Sequence, residues 1–277
     1  MPAKADSYGW QRGLTSEAHQ TYIQDALDAY TSVAGQQSLP NTDVLYIVPT
    51  QNATAISFSP TYMGDVTTRS GTPVAKKAVT FGLDAYVTWH YKVLNHETGH
   101  TMCLPDLYPL PSGPTGLYIG GWDMQGYING PSPDYFAWNK WRLGWLSDDQ
   151  IDCLTTPGST THTISPLESP GGTKAVVVKH NSTATLVAEV RSSQGIDSAS
   201  CATGVLLYTV STVTATGLGP IRVLDANPGS GGCAGDELND APLNLNGTSS
   251  FVVPGWNITV TVIGQVGATY NVQVNVK

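Results

Sequence analysis

The proline-free stretch Asp84–Met102, with the sequence DAYVTWHYKVLNHETGHTM, constrains the fold more than any other segment. Within it, aromatic, aliphatic and imidazole side chains recur at spacings of three and four residues: Trp89, Val93, His96 and His100. Residues at these spacings share one face of an α-helix. Because Pro105 follows and would stop a helix, we expect one central helix over Asp84–Met102.

This predicted helix carries the sequence HETGH at residues 96–100, which indicates a zinc site. Positions i and i+4 lie on the same helical face, so that His96 and His100 can both reach one zinc ion. Glu97 lies beside them, where its carboxylate can take a proton from a zinc-activated water. The ordinary alternative is a surface helix that carries two unrelated histidines.

A catalytic zinc site has three protein ligands and one open position. Asp106 is our candidate for the third ligand, because it follows His100 by six residues and lies just past Pro105, where the chain can turn back. Glu189, or another acid of the β-rich half, is the rival candidate. Asp106 could also be a turn residue that merely ends the helix.

The remaining N-terminal residues predict a helix packed on a small sheet. Residues 15–34 have a Thr or Ser cap, Glu17 in the first turn and apolar positions at helical spacing, all of which favour a helix. The apolar run Asp43–Pro49 predicts a buried strand, and Ala55–Ser59 and Ala78–Phe81 are weaker strand predictions.

The following segment, residues 104–135, is rich in proline and glycine and predicts loops. A second helix is predicted at about Pro133–Leu146. It carries three tryptophans at helical spacing, which we expect to pack into a core: Trp138, Trp141 and Trp145.

After Cys153 short β-rich runs recur between turn residues: Ala175–Lys179, Thr185–Val190, Gly204–Val210, Phe251–Val253, Asn257–Ile263 and Tyr270–Val276. Such a series is typical of an antiparallel sandwich or barrel. We therefore predict an α+β protein with two domains. Residues 1–153 would form a zinc peptidase domain with a mixed sheet and an active-site helix, and residues 154–277 an antiparallel, sandwich-like β-rich domain.

Composition excludes some classes of partner and favours an extracellular location. The formal net charge of −8 argues against nucleic-acid binding, and the chain has no apolar run of the roughly 18 residues that a membrane-spanning helix needs. Charged residues make up only 12%, which is common in extracellular proteins. The N-terminus lacks the apolar core of a signal peptide, so a secreted protein would here be in a mature or trimmed form.

The four cysteines include no C-x-x-C pair, which favours two disulfides in an oxidising compartment over a zinc knuckle. We expect Cys201–Cys233, which would close a glycine-rich loop, and hence Cys103–Cys153. The chain also has N-glycosylation sequons that would be used only on a glycosylating secretory route: Asn52, Asn181, Asn246 and Asn257.

Four acids lie in or next to the glycine-rich segment NPGSGGCAGDE: Asp225, Asp236, Glu237 and Asp240. Oxygen ligands of this kind suit calcium, so these acids are a candidate Ca²⁺ site. Their spacing matches no calcium-loop signature, and a solvated acidic loop is the alternative.

The stretch HETGHTMCLPDLY also resembles a known family motif. The motif, H-E-x-G-H-x-x-G-L-P-D-x-Y, is the zinc motif of the secreted immune inhibitor A-like metallopeptidases. Three further segments resemble that family in the same order: Gly121–Met124 (GWDM), Trp138–Leu146 (WNKWRLGWL), and Glu189–Arg191 with Gly204–Tyr208. The resemblance covers about residues 90–210, and beyond residue 210 we see none.

This resemblance implies a metzincin-like catalytic unit, with His96, His100 and Asp106 as zinc ligands and Glu97 as general base. It implies that Met124 belongs to a Met-turn beneath the metal. Cys103 departs from the pattern, because many relatives have glycine there. Glycine would permit positive φ, which for cysteine costs on the order of 1 kcal/mol, so we take Cys103 to be fixed by a disulfide.

The sequence thus predicts a secreted, monomeric zinc endopeptidase that hydrolyses peptide bonds of extracellular proteins or glycoproteins through a zinc-activated water. Two alternatives stay open. One is a module that binds protein or glycan and has a vestigial zinc site. The other is a zinc hydrolase that acts on bonds other than peptides.

Overall fold

The computed structural model describes residues 1–11, 13–35, 39 and 41–277, which form two compact units, Met1–Leu104 and Pro105–Lys277. Helices and a larger number of strands confirm the α+β class. The division between the units precedes the predicted domain boundary at residues 153/154, because the Pro/Gly-rich segment shares a core with the later strands. The predicted boundary itself stays a prediction. Every helix of the described residues is too short or too polar to cross a bilayer.

The first unit contains α1 (Ser16–Ala34) and a four-stranded sheet in which β4 lies in the middle. The strands are β1 (Thr42–Ile47), β2 (Thr61–Tyr62), β3 (Val66–Thr67) and β4 (Pro73–Thr80). β1 runs parallel to β4, whereas β2 and β3 run antiparallel to it, so this sheet is mixed.

Packing in this unit agrees with the predicted helix on a small sheet. Thr15 caps α1 by accepting the N–H of Ala18, and Ile23 and Leu27 of α1 pack against apolar residues of β3 and β4. The strand expected at Asp43–Pro49 is confirmed as β1, although it is only half-buried.

The strand expected at Ala78–Phe81 is the end of β4, but the one expected at Ala55–Ser59 is wrong. There the backbone bonds elsewhere: the carbonyls of Ile56 and Ser57 accept the N–H groups of Leu83 and Asp84.

The single helix expected over Asp84–Met102 is wrong, because the structure has two, α2 (Leu83–Val87) and α3 (Tyr91–Thr101). His90 has φ 52°, outside the right-handed helical region. The N–H groups of Thr88 and Trp89 both donate to the Asp84 carbonyl, which ends α2. A β-branched residue followed by an aromatic one lowers helix propensity at this point. The helical face formed by Val93, His96 and His100 persists, and Trp89 lies outside α3.

In the second unit the tryptophan-bearing helix is confirmed but shorter than expected, as α4 (Ala137–Arg142). Its start is delayed because Phe136 is extended and donates its N–H to the Asp123 carboxylate at 2.8 Å. It ends before Gly144, which has φ 72°. Trp138 and Trp141 pack against the core, as expected, whereas Trp145 is half-exposed.

Two sheets make up the rest of the second unit. The five-stranded sheet has the order β10–β9–β8–β7–β5, with β5 (Ile151–Leu154), β7 (Ala175–Lys179), β8 (Ala184–Arg191), β9 (Gly204–Ser211) and β10 (Ile221–Val223). The four-stranded sheet has the order β11–β12–β13–β6, with β6 (Gly158–Ile164), β11 (Ser250–Val253), β12 (Ile258–Val266) and β13 (Thr269–Val276). All six predicted runs are therefore strands.

The two sheets face each other across a core of aliphatic side chains drawn from both. The other face of the five-stranded sheet packs on the core formed with residues 107–146. Because both of its faces are covered, its inner strands β7, β8 and β9 are almost continuously buried. One departure from the antiparallel expectation is β5, which runs parallel to β7.

One of the two predicted disulfides is present in the structure. Cys201 and Cys233 form the predicted disulfide. The predicted Cys103–Cys153 pair is wrong, since both thiols are free and exposed. Cys103 does have the positive φ inferred for it, 66°, but helix-end hydrogen bonds, rather than a disulfide, accompany that conformation.

Candidate metal centre

Helix α3 is bound to the sheet of the first unit by polar contacts. The Tyr46 hydroxyl of β1 lies 2.7 Å from the Thr98 hydroxyl, and Lys77 of β4 donates to the Thr101 carbonyl. Both contacts are made by residues at the C-terminal half of α3, where the predicted zinc residues lie. His96 and Glu97 are buried there, with 3% and 8% of their surface exposed.

The two histidines present their ring nitrogens to the same point. His96 Nε2 and His100 Nε2 are 3.1 Å apart, and the ring planes are inclined at 85°. Two nitrogens bound to one tetrahedral zinc at about 2.0–2.1 Å would lie about 3.3 Å from each other. The pair therefore fits the first two positions of a zinc site with almost no movement.

A carbonyl oxygen fixes which nitrogen of His100 can bind a metal. His100 Nδ1 lies 2.9 Å from the Leu104 carbonyl oxygen. Because a carbonyl can only accept, Nδ1 carries the hydrogen, and in the neutral ring Nε2 keeps its lone pair. This is the outer hydrogen bond typical of a metal-ligating histidine.

The turn that supplies this carbonyl is a Schellman motif at the end of α3. The Cys103 N–H donates to the His100 carbonyl at 2.8 Å, and the Leu104 N–H donates to the Gly99 carbonyl at 3.0 Å. The motif requires a left-handed residue after the helix, and Cys103 takes that place with φ 66°. The conformation costs a non-glycine residue about 1–2 kcal/mol, so the two helix-end bonds help to offset it.

Glu97 completes the group. One ligand atom from each of His96, Glu97 and His100 lies within 4.8 Å of the other two. Its Oε2 accepts a hydrogen bond from the Thr61 hydroxyl of β2 at 2.7 Å. Neither Thr61 nor Tyr46 was predicted from the sequence, since nothing in their local pattern indicates contact with a residue so distant along the chain.

No protein-family model matches this chain, and no curated protein sequence resembles it to a significant degree. The site must accordingly be judged on its own chemistry. Two neutral imidazoles with a neighbouring carboxylate are donors that suit zinc well.

Asp106, the predicted third ligand, belongs to the second unit. Its backbone N–H donates to the Thr216 hydroxyl at 2.8 Å, and its carbonyl accepts the Gly217 N–H at 2.9 Å. Met124, the residue that the resemblance assigns to a Met-turn, is buried in the same unit. The ligand role of Asp106 and the Met-turn role of Met124 stay predictions.

Glu189, the rival third ligand, serves a different purpose. It is fully buried, with Oε1 bonded to Arg191 and Oε2 accepting the Tyr208 hydroxyl and the Ala137 N–H. Burial raises the pKa of Glu189, and the Arg191 charge opposes that rise. Both oxygens are thus used in the core of the second unit, at the start of α4.

The acidic loop proposed for calcium is partly held by its own backbone. Asp236 accepts the Leu238 N–H, and Glu237 accepts the Gly229 N–H. Burial, followed by the charges of Asp240 and Glu237, raises the pKa of Asp225. Among the described residues only His96, Glu97 and His100 bring three such ligand atoms within 4.8 Å, so the Ca²⁺ site stays a prediction.

Proposed function

We propose that this protein is a zinc-dependent endopeptidase with a metzincin-like catalytic unit. The main support for this proposal is the pair of imidazole nitrogens, which lie 3.1 Å apart on one helical face beside the buried carboxylate of Glu97. His96 and His100 would hold the zinc, and Asp106 is proposed as the third ligand because of its place after the Pro105 turn. The left-handed Cys103, at the position where many immune inhibitor A-like enzymes have glycine, supports the family resemblance.

When bound, zinc would supply a Lewis acid that polarises the scissile carbonyl and makes a water molecule nucleophilic near neutral pH. The protein's part is to hold groups and move a proton. The Glu97 carboxylate takes a proton from the attacking water and passes it to the leaving amine. The bond from His100 Nδ1 to the Leu104 carbonyl would leave Nε2 as the nitrogen that binds zinc.

Extracellular proteins or glycoproteins are the proposed substrates. The Cys201–Cys233 disulfide is consistent with an oxidising compartment. The net charge of −8 weighs against an anionic nucleic-acid partner.

The test is casein cleavage by wild type, by wild type with a chelator, and by Glu97→Gln. This variant keeps the size of the side chain but removes the base. We expect it to bind zinc like the wild type and to lose several orders of magnitude in kcat. Zinc binding with no cleavage by the wild type would favour the alternative, a binding module with a vestigial site. Full activity in Glu97→Gln would remove Glu97 from the mechanism.

A further inference from the structure

We infer that Thr61 is the positioning residue for the Glu97 carboxylate. This inference rests on the proposed function, since it assigns a role beside the general base of that same site. Thr61 lies on β2, whose partner in the sheet is β4. Its backbone is therefore held by a ladder that does not depend on the helix or on a metal.

The hydroxyl of Thr61 has two acceptors on Glu97 but only one hydrogen. The Oε2 contact is 2.7 Å and the contact to the Glu97 carbonyl is 3.1 Å. The shorter one, to a carboxylate, is the stronger, because hydrogen bonds to ionised acceptors are short and about twice as strong as neutral ones. We therefore assign the hydrogen to Oε2.

A glutamate side chain has three rotatable bonds, and a general base must lie within hydrogen-bond reach of the proton that it abstracts. The helix backbone fixes only the root of Glu97, whereas the Thr61 hydroxyl fixes one end of its carboxylate. Holding a reacting group in place lowers the barrier of the chemical step and leaves the affinity for substrate unchanged.

Three variants separate this role from a merely structural one. Thr61→Val keeps the shape and removes the hydroxyl, and Thr61→Ser restores it. Tyr46→Phe is the matched control, because it removes a sheet-to-α3 contact of the same length, 2.7 Å, that ends on Thr98 and not on Glu97. All three should bind zinc like the wild type.

We expect Thr61→Val to lower kcat by about 10- to 100-fold, the loss of a hydrogen bond to a charged group, with KM within about twofold of the wild-type value. Thr61→Ser and Tyr46→Phe should stay close to the wild type. The inference is overturned if Thr61→Val and Tyr46→Phe have the same kcat, or if Thr61→Ser fails to restore it.

A second readout does not depend on catalysis. In protein labelled with ¹³C at the glutamate carboxyl carbons, the Glu97 signal is the one that disappears in Glu97→Gln. That signal should move in Thr61→Val and stay in place in Thr61→Ser and Tyr46→Phe. An unmoved signal in Thr61→Val contradicts the hydrogen bond. If the signal moves but no form of the protein cleaves casein, the contact to Glu97 stands and the peptidase proposal fails.

Discussion

Replacing Arg191 by methionine removes a guanidinium from the core of the second unit and keeps an unbranched side chain in its place. Arg191 is 0% exposed. Its Nε and Nη2 donate to Asp197 Oδ2 at 3.0 and 2.5 Å, and Nη1 donates to Glu189 Oε1 at 3.1 Å. Further bonds reach the carbonyls of Trp122 and Ser132, which belong to the Pro/Gly-rich segment.

The size of the expected effect follows from this arrangement. Without Arg191, the carboxylates of Glu189 and Asp197 stay buried without a counter-charge. Removing one partner of a buried ion pair costs about 3–5 kcal/mol. For a unit of this size each kcal/mol lowers Tm by about 2–4 °C, so we expect Arg191→Met to lower Tm by roughly 6–20 °C.

Urea unfolding followed by tryptophan fluorescence, with calorimetry for Tm, measures this loss. The matched control is Arg222→Met, since Arg222 is an exposed arginine of the same unit that stacks over Tyr118 at 4.3 Å. Its loss should cost about 1 kcal/mol or less. Equal losses in the two variants would refute the argument that the buried charges of Glu189 and Asp197 depend on Arg191.

Three further predictions concern pH, the disulfide and the metal. Burial lowers the pKa of His19 to about 4, below about 6.5 in the unfolded chain. Between these two pH values the unfolded state therefore binds more protons than the folded state. The free energy of unfolding of the first unit should fall by up to about 3 kcal/mol as pH drops from about 6.5 to about 4. In urea titrations at several pH values His19→Gln should flatten this dependence, and an unchanged slope would count against it. Replacing Cys201 and Cys233 by serine opens a loop with a sequence separation of 32, which should lower the free energy of unfolding by about 3–4 kcal/mol; a loss under about 1 kcal/mol by urea unfolding would contradict this. Asp106→Asn should weaken zinc binding by more than the roughly 10- to 100-fold that loss of a ligand's outer partner costs; in chelator competition, unchanged affinity would move the third ligand elsewhere.

The β-rich half was predictable because six of its strands are runs rich in β-branched residues between turn residues, and such runs identify strands by local pattern alone. The disulfide Cys201–Cys233 was also predicted correctly, on the ground that Cys233 lies in a glycine-rich segment that a disulfide would close. Strands β5, β6 and β10 were not predicted. β10 has only three residues, and β6 is mostly exposed and polar, so neither carries a strong apolar signal.

Contacts between distant residues account for most of the other errors. The helix over Asp84–Met102 is interrupted at residues 88–90. Its first turn is held to a distant residue, because the Asp84 carboxylate accepts hydrogen bonds from the hydroxyl and the N–H of Ser59. Local helix periodicity contains no information on such a partner. The same holds for Thr61, which reaches Glu97 across 36 residues of sequence. The zinc motif, by contrast, was recognisable because its geometry depends only on helical spacing.

Bound zinc, measured by elemental analysis after metal-replete preparation and gel filtration, tests the central claim most directly. We expect about one equivalent per chain in the wild type, as for a single catalytic site, and almost none in a His96→Ala/His100→Ala double variant that is shown to be folded by circular dichroism. A wild type without zinc, or a double variant with as much zinc as the wild type, would contradict the assignment of these two histidines as metal ligands.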